Sequence, residues 1–363
     1  MQSFAPHVCC QAMSIPVRGR RNIVDPSSRT SAKDVAQLAG VSTATVSRAL
    51  NLPDQVDPDT RERVRKAVDK LRYLPHGVAS ALRSQRTKMI GAVVPSFDYA
   101  LYARTTSALQ RALDARGYSL VLAAHHYDLA TEARLTEQLI RHGVDAFVFV
   151  GIDHDRALYR LLDDYGRPYV VTWGVDPGRQ HPWIGFDNAA ATHEVTRYLL
   201  GLGHRSFGLI SAHVDGNDRA RERGAGIRSA LAAAGLMLDE TCVRYGPIAL
   251  AQGAAAMREL LALPSPPTAV MATNDVFAVG AMMACREAGV RIPDDVSITG
   301  VDSTELGAVQ TPPLTSVRTP VMEIGDAAAR QLIARLDNEP AELYQQLPFE
   351  LVVRGSTGPP LMK

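Results

Sequence analysis

The chain has 363 residues, long enough for two or three domains and a large core. Apolar residues make up 46% and charged residues 21%, an ordinary globular balance. The formal net charge of +1 hides an asymmetry: residues 1–90 hold 15 basic and 7 acidic side chains, so a basic head precedes an acidic body. That division points to a polyanion-binding module joined to something else. No apolar run approaches the length of a membrane span. The four cysteines, Cys9, Cys10, Cys242 and Cys285, show neither metal spacing nor a disulfide framework, and a reducing cytoplasm fits them. The first dozen residues lack the pattern of a secretory signal.

Residues 1–29 read as a disordered extension, or as a basic arm lying along DNA phosphates. "SAKDVAQLAGVSTATVSRALN" (31–51) then packs small residues into two short apolar-periodic runs joined at Gly40. Ser31 followed by Asp34 reads as a near capping box, Gly40 suits the left-handed position that ends a helix, and Ser42 caps the next. Val46, Ala49 and Leu50 mark the inner side of that second helix. Asp57-Pro58 opens a third helix, with Val64, Val68 and Leu71 as its apolar stripe. Three short helices within about 45 residues, two of them joined by a tight turn, make a helix-turn-helix unit over 30–74. Residues 75–88 form a Pro-led basic linker with one marginal helix.

From Met89 the texture changes. "MIGAVVP", "YSLVLAAHH", "VDAFVFVG", "RPYVVTWG", "SFGLIS", "PTAVMATND" and "VSITGVD" alternate with helical patterns near 102–116, 131–142, 188–201, 218–235 and 275–289. Such alternation indicates parallel sheets buried on both faces. The region is too long for one ordinary doubly wound domain, so two similar halves are expected, splitting near Phe186-Asp187. Ligands bind such sheets at the carboxyl ends of their strands, here in a cleft between halves.

The motifs "SAKDVAQLAGVSTATVSRALN", "RYLPHGVASALRSQRTKMIGAVVP", "FDNAAATHEVTRYLLGLGHRSFGLIS", "ATNDVFAVGAMMACREAGVRIPDDVSITGVDSTEL" and "TPPLTSVRTPVMEIGDAAARQL" stand in one order. In that order, across about residues 30–355, the chain resembles the lactose-repressor/galactose-repressor family of bacterial transcription regulators. The resemblance implies a multidomain protein: an all-α DNA-binding headpiece and an α/β core like the type I periplasmic binding proteins, built from two parallel-sheet subdomains. One subdomain would span about 89–186 and 318–345, the other about 187–317 and 346–355. A homodimer on a pseudo-palindromic operator and a small polar effector, sugar-like or carboxylated, are the implied partners. No cofactor and no metal are expected.

For DNA, the second headpiece helix would enter the major groove with Thr43, Ala44, Thr45, Ser47 and Arg48, flanked by Ser31, Ser42 and Asn51. Arg48 reads as a two-bond contact to a guanine edge, or as a phosphate contact only. By resemblance, Leu82 wedges into the minor groove with Ala79 at its floor. His76, Gly77 and Ser80 depart from the family's pattern and predict a weak hinge. For the effector, the resemblance implies Ser96, Asp98, Tyr102, Trp173, Asn217, Arg219, Arg223, Asn274 and Asp302. Arg223 reads otherwise as a helix-start ion pair, Asp302 as a cap, Trp173 as core and Tyr102 as a surface tyrosine. Asp275 reads as a helix cap, and His204 as structural.

A solute-binding protein shares such a core, but the headpiece motif and the missing signal argue against it. An enzyme is disfavoured, because no Gly-rich phosphate loop, G-x-S-x-G or His/Asp/Glu cluster at catalytic spacing is present.

Overall fold

The computed structural model describes residues 30–74 and 86–361. The chain forms two units, residues 1–80 and 81–363. Ala79, Leu82 and most of the 75–88 linker lie outside the described residues.

In the first unit, α1 (Ala32–Ala39) begins at a complete capping box. The Ser31 backbone N–H donates to Asp34 Oδ2 at 2.8 Å, and the Asp34 N–H donates back to Ser31 Oγ at 3.4 Å. Gly40, at φ 66°, ends the helix, and the Val41 N–H reaches the Ala36 carbonyl at 3.0 Å. The chain turns at once into α2 (Thr43–Asn51), capped by Ser42. Asp57 caps α3 (Pro58–Leu71), with Pro58 at its first position. Val35, Ala36 and Ala39 meet Val46, Ala49, Val64 and Ala67 in one small core. Small side chains let the helices approach closely. Leu50 departs from its expected inner place and is 36% exposed. Val46 and Ala49 already fill the buried stripe, and at 100° per residue Leu50 lies round its edge.

The second unit holds two six-stranded sheets. The first contains β1 (Met89–Val94), β2 (Ser119–Ala124), β3 (Ala146–Val150), β4 (Tyr169–Thr172), β5 (Trp183–Gly185) and β11 (Tyr344–Gln346), in spatial order β11-β5-β4-β3-β1-β2. Every pairing in it is parallel. The second contains β6 (Phe207–Ala212), β7 (Val243–Gly246), β8 (Ala269–Ala272), β9 (Ser297–Asp302), β10 (Thr315–Arg318) and β12 (Glu350–Val352), in order β12-β10-β9-β8-β6-β7. It is parallel except for β10 against β12. Helices α4 (Ala100–Asp114), α5 (Leu129–Arg141) and α6 (Arg156–Asp164) follow strands of the first sheet. Helices α7 (Asn188–Gly201), α8 (Asp218–Ala233), α9 (Leu250–Leu261), α10 (Asp275–Glu287) and the short α11 (Glu305–Ala308) belong with the second. After β10 the chain returns to the first sheet: α12 (Val321–Leu336) packs on α4 and over β3, β4 and β5. The chain therefore passes between sheets after β5, after β10 and after β11. These three passages bring the carboxyl ends of both strand sets to one cleft.

Asp275 does not cap its helix. Asn274 does, accepting the Phe277 N–H at 2.9 Å, while Asp275 is turned inward as the first helical residue. His204 is buried between Thr268, Ser297 and the Gly358 carbonyl, where it ties the C-terminal segment to the second sheet.

Candidate functional site

In the first unit, the start of α2 is open. Thr43, Ala44 and Arg48 are exposed and Ser47 is half-buried, while Val46 anchors the opposite face. The exposed Arg48 guanidinium makes no hydrogen bond or ion pair to the described residues, so its five donors are open to solvent. Ser31 Oγ and Ser42 Oγ serve as caps, and Thr45 shares the Ser42 cap at 2.9 Å. Asn51 folds back onto the Ser47 carbonyl at 2.8 Å. Thr43, Ala44 and Arg48 are thus left exposed with no cap to serve, and the half-buried Ser47 lies beside them.

The cleft in the second unit divides into a deep cavity of about 30 Å³ and an outer chamber of about 420 Å³. Tyr102, Trp173, Arg219, Arg223, Asn274 and Asp302 line the deep cavity. Ser96 and Asp98 instead line the outer chamber, and Asn217 borders both. Tyr99, Tyr127 and Ile248 also border both, and Thr273 joins the deep wall.

The backbone is unusual at several lining positions. Tyr127, Trp173 and Asp302 have φ of 62°, 74° and 113°, in a region L-residues rarely adopt. Such strain persists only where surroundings impose it, and it concentrates at binding sites. Gly151, at φ 99° after β3, is required by contact as well: an added Cβ would lie 2.2 Å from Arg219 Nη1.

Buried charge organises the deep wall. Arg223 donates from Nε to Asn188 Oδ1 (2.8 Å) and from Nη1 to the Thr273 carbonyl (2.6 Å). Its Nη2 stands 3.7 Å from Asp302 Oδ1, too far for a hydrogen bond. Arg223 is thus held by buried partners and is more than a helix-start ion pair. Asp302 is no cap either, since Thr304 caps α11. Asp302 Oδ1 has no hydrogen-bond partner, while Oδ2 accepts from the Tyr99 hydroxyl. Burial pushes the Asp302 carboxyl up to about 7, against the pull of Arg223 and with a further push from Asp275.

Burial works most strongly against the Arg219 charge, but Asp218 at 2.6 Å, joined by Tyr102 and Tyr127, holds the guanidinium above its ordinary value. Asp218 Oδ2 also accepts the Ile152 N–H at 3.0 Å, across from the first sheet. Arg221 adds a bidentate pair to Asp153, at 2.6 and 2.9 Å. Asp275 accepts from the Thr304 N–H (2.6 Å), Thr304 Oγ1 (2.8 Å) and Ser316 Oγ (2.5 Å), fixing the turn that follows Asp302. Tyr102 and Trp173 are both buried and meet edge to face at 5.7 Å. The Trp173 indole Nε1 has no partner. Asp302 and Trp173 both line the deep cavity, and each keeps a buried polar atom without a hydrogen-bond partner, which suits a ligand carrying hydroxyls.

Sequence reasoning passed over Tyr99, Tyr127, Thr273 and Asn188. Tyr99 lies three residues before Tyr102, the spacing that shares a helix face. Tyr127 follows His125-His126 just past the end of β2, and Thr273 precedes Asn274. Nothing local marks Asn188 as the residue that orients Arg223.

Residues 31–76 match the model of bacterial regulatory proteins of the lacI family, and residues 196–357 that of a periplasmic-binding-protein-like domain. The chain is 36% identical to the HTH-type transcriptional regulator CelR of Thermobifida fusca, over 89% of this chain and 96% of that one. It is 33% identical to the HTH-type transcriptional repressor PurR of Erwinia tasmaniensis, over 85% and 91%. Among solved structures, a CelR–cellobiose complex matches with a TM-score of 0.67 at 34% identity, covering 90% of this chain and 100% of that one. The Lac repressor dimer bound to operator and the anti-inducer ONPF matches with a TM-score of 0.83 at 26% identity, covering 91% and 100%.

Proposed function

The chain belongs to the lacI family of bacterial regulatory proteins, and from that premise we propose how its own residues divide the work of a transcription regulator. Thr43, Ala44, Ser47 and Arg48 at the start of α2 read base edges in the major groove, with Arg48 as the forked donor to a guanine. Ser31, Ser42, Thr45 and Asn51 hold that helix in shape at the DNA backbone, and Ala79 and Leu82 of the linker enter the minor groove. Two copies bind one pseudo-palindromic operator in the cytoplasm.

The effector sits between Tyr102, Trp173, Asn217, Arg219, Arg223, Asn274 and Asp302, with Ser96 and Asp98 at the mouth. It is a small polyhydroxylated or carboxylated metabolite. The observation that carries this reading is the buried Asp302 carboxyl, one oxygen of which has only a loose ion pair to Arg223 at 3.7 Å and no hydrogen bond. Such a group is costly unless a ligand completes it. Ligand binding changes how tightly the cleft closes, and the headpieces answer through the linker.

The test is a gel shift with the protein's own upstream DNA, with and without cellobiose and a panel of sugars, sugar acids, purine bases and carboxylates. A specific complex, altered by one ligand class, is expected. Arg48→Ala should weaken binding about 5- to 150-fold at operators with a guanine at its position and little at those without. A uniform loss across all sequences would reduce Arg48 to a phosphate contact.

A further inference from the structure

Two chambers meet in the cleft, and Tyr99 stands between them together with Tyr127, Ala212, Asn217 and Ile248. It belongs to the loop after β1, on the first sheet, and its ring packs edge to face on Tyr102 at 5.5 Å. Its hydroxyl crosses to Asp302 at the end of β9, on the second sheet. It spans the two subdomains through the one carboxylate on which the effector reading rests.

We propose that the Tyr99 hydroxyl is a built-in occupant of the Asp302 subsite, which bridges the two subdomains until an effector displaces it. This rests on the effector reading above and assigns it a competitor from within the chain. A ligand must then bring its own hydroxyl or N–H to Asp302, because releasing Tyr99 without replacing it strands a buried acceptor. Displacement has a second consequence. With Tyr99 swung aside, the deep cavity of about 30 Å³ and the outer chamber of about 420 Å³ become one elongated space. The deep cavity by itself holds little more than water. The combined space takes a ligand of more than one ring, with polar ends matching Asp302 inside and Ser96, Asp98, His126 and Asp215 outside. The chemical class is therefore an oligomeric polyol such as a disaccharide, rather than a single small ring.

The cross-cleft bond does not stand alone. Among the described residues, Asp218 to the Ile152 N–H, Arg221 to Asp153 and Asn188 Nδ2 to the Trp173 carbonyl also join the two subdomains, yet none of them touches Asp302. Loss of the Tyr99 hydroxyl should therefore loosen the wall locally without opening the whole cleft.

The experiment is amide hydrogen exchange on the ligand-free full chain, comparing wild type with Tyr99→Phe, which keeps the ring and its contact with Tyr102. Exchange at the Tyr102, Ser303 and Thr304 amides should rise at least tenfold, with the far-UV spectrum unchanged. Asp302→Asn attacks the same bond from its other end, retains an oxygen acceptor and should accelerate those amides by a smaller factor. Unchanged exchange in both variants would overturn the proposal. Calorimetry then compares cellobiose with glucose. Wild type should favour cellobiose, and Tyr99→Phe should bind it several-fold more tightly, having no competitor to displace. Equal or weaker binding by the variant, or a preference for glucose, would also overturn it. Failure of both sugars and of the wider panel to bind would refute the effector reading, while the exchange result, which needs no ligand, would stand on its own.

Discussion

Asp302 shows how much a single residue can carry. Its carboxyl is pushed up to about 7 by burial, against an ordinary 3.8. The folded chain therefore holds that proton more tightly than the unfolded chain does. The stabilisation is fully present below about pH 4 and is lost as pH rises through 7, at up to about 1.4 kcal/mol per pH unit between those limits. Wild type should thus lose stability relative to Asp302→Asn as pH rises from 4 to 7, measured as the difference between their urea midpoints. A difference that stays flat across that range would remove the buried-carboxyl account. Gly151 makes a second case. At φ 99°, with Arg219 Nη1 2.2 Å from the site of a Cβ, Gly151→Ala must shift either the backbone or the guanidinium. A cost of about 1–3 kcal/mol is expected from the backbone alone. Thermal unfolding measures it, and a neutral result would show that the loop can rearrange around Arg219.

At the scale of elements, the headpiece joins a small core to well-formed helix caps. α1 has only eight residues, too few to persist without end stabilisation. Ser31 supplies that through its capping box with Asp34. Ser31→Ala should cost about 1 kcal/mol, visible as faster exchange of the Asp34 and Val35 amides and weaker operator binding. The cap, the Gly40 turn and the proline at the start of α3 are legible in sequence because each is decided within a few residues. Leu50 is the counter-example. Its spacing from Val46 suits a buried face, but the neighbouring helices cover only part of that face. Asp275 misleads in the same way. A helix-start aspartate normally caps, yet here Asn274 caps and Asp275 turns inward to Thr304 and Ser316.

Over the whole molecule, the proposed binding of two copies to one operator leads to a prediction about assembly. The edge strand β2 leaves Leu122 44% exposed, and α10 leaves Met283 40% exposed. Unpaired apolar residues on an edge strand are ordinarily covered or charged. Sedimentation velocity at micromolar concentration should show a dimer, and Leu122→Lys with Met283→Lys should shift it toward monomer. A wild-type monomer at that concentration would contradict two-fold binding. Among the described residues no helix is long and apolar enough to cross a membrane.

The sequence by itself determined the elements and their order. Helix ends, the αL turn at Gly40, the alternation of buried strands with helices, and the charge step between head and core all rest on short-range chemistry. It also pointed to Tyr102, Arg223 and Asp302, which line the deep cavity. Tertiary structure decided what those residues do. Only the passages between sheets bring Tyr99 from the end of β1 to Asp302 at the end of β9, some two hundred residues apart. Only packing makes Asn188 the residue that aims Arg223, sets Trp173 nearly perpendicular to Tyr102, and sends Ser96 and Asp98 to the outer chamber. Burial, not neighbouring sequence, sets the charge on Asp302, and burial depends on every segment that closes over it.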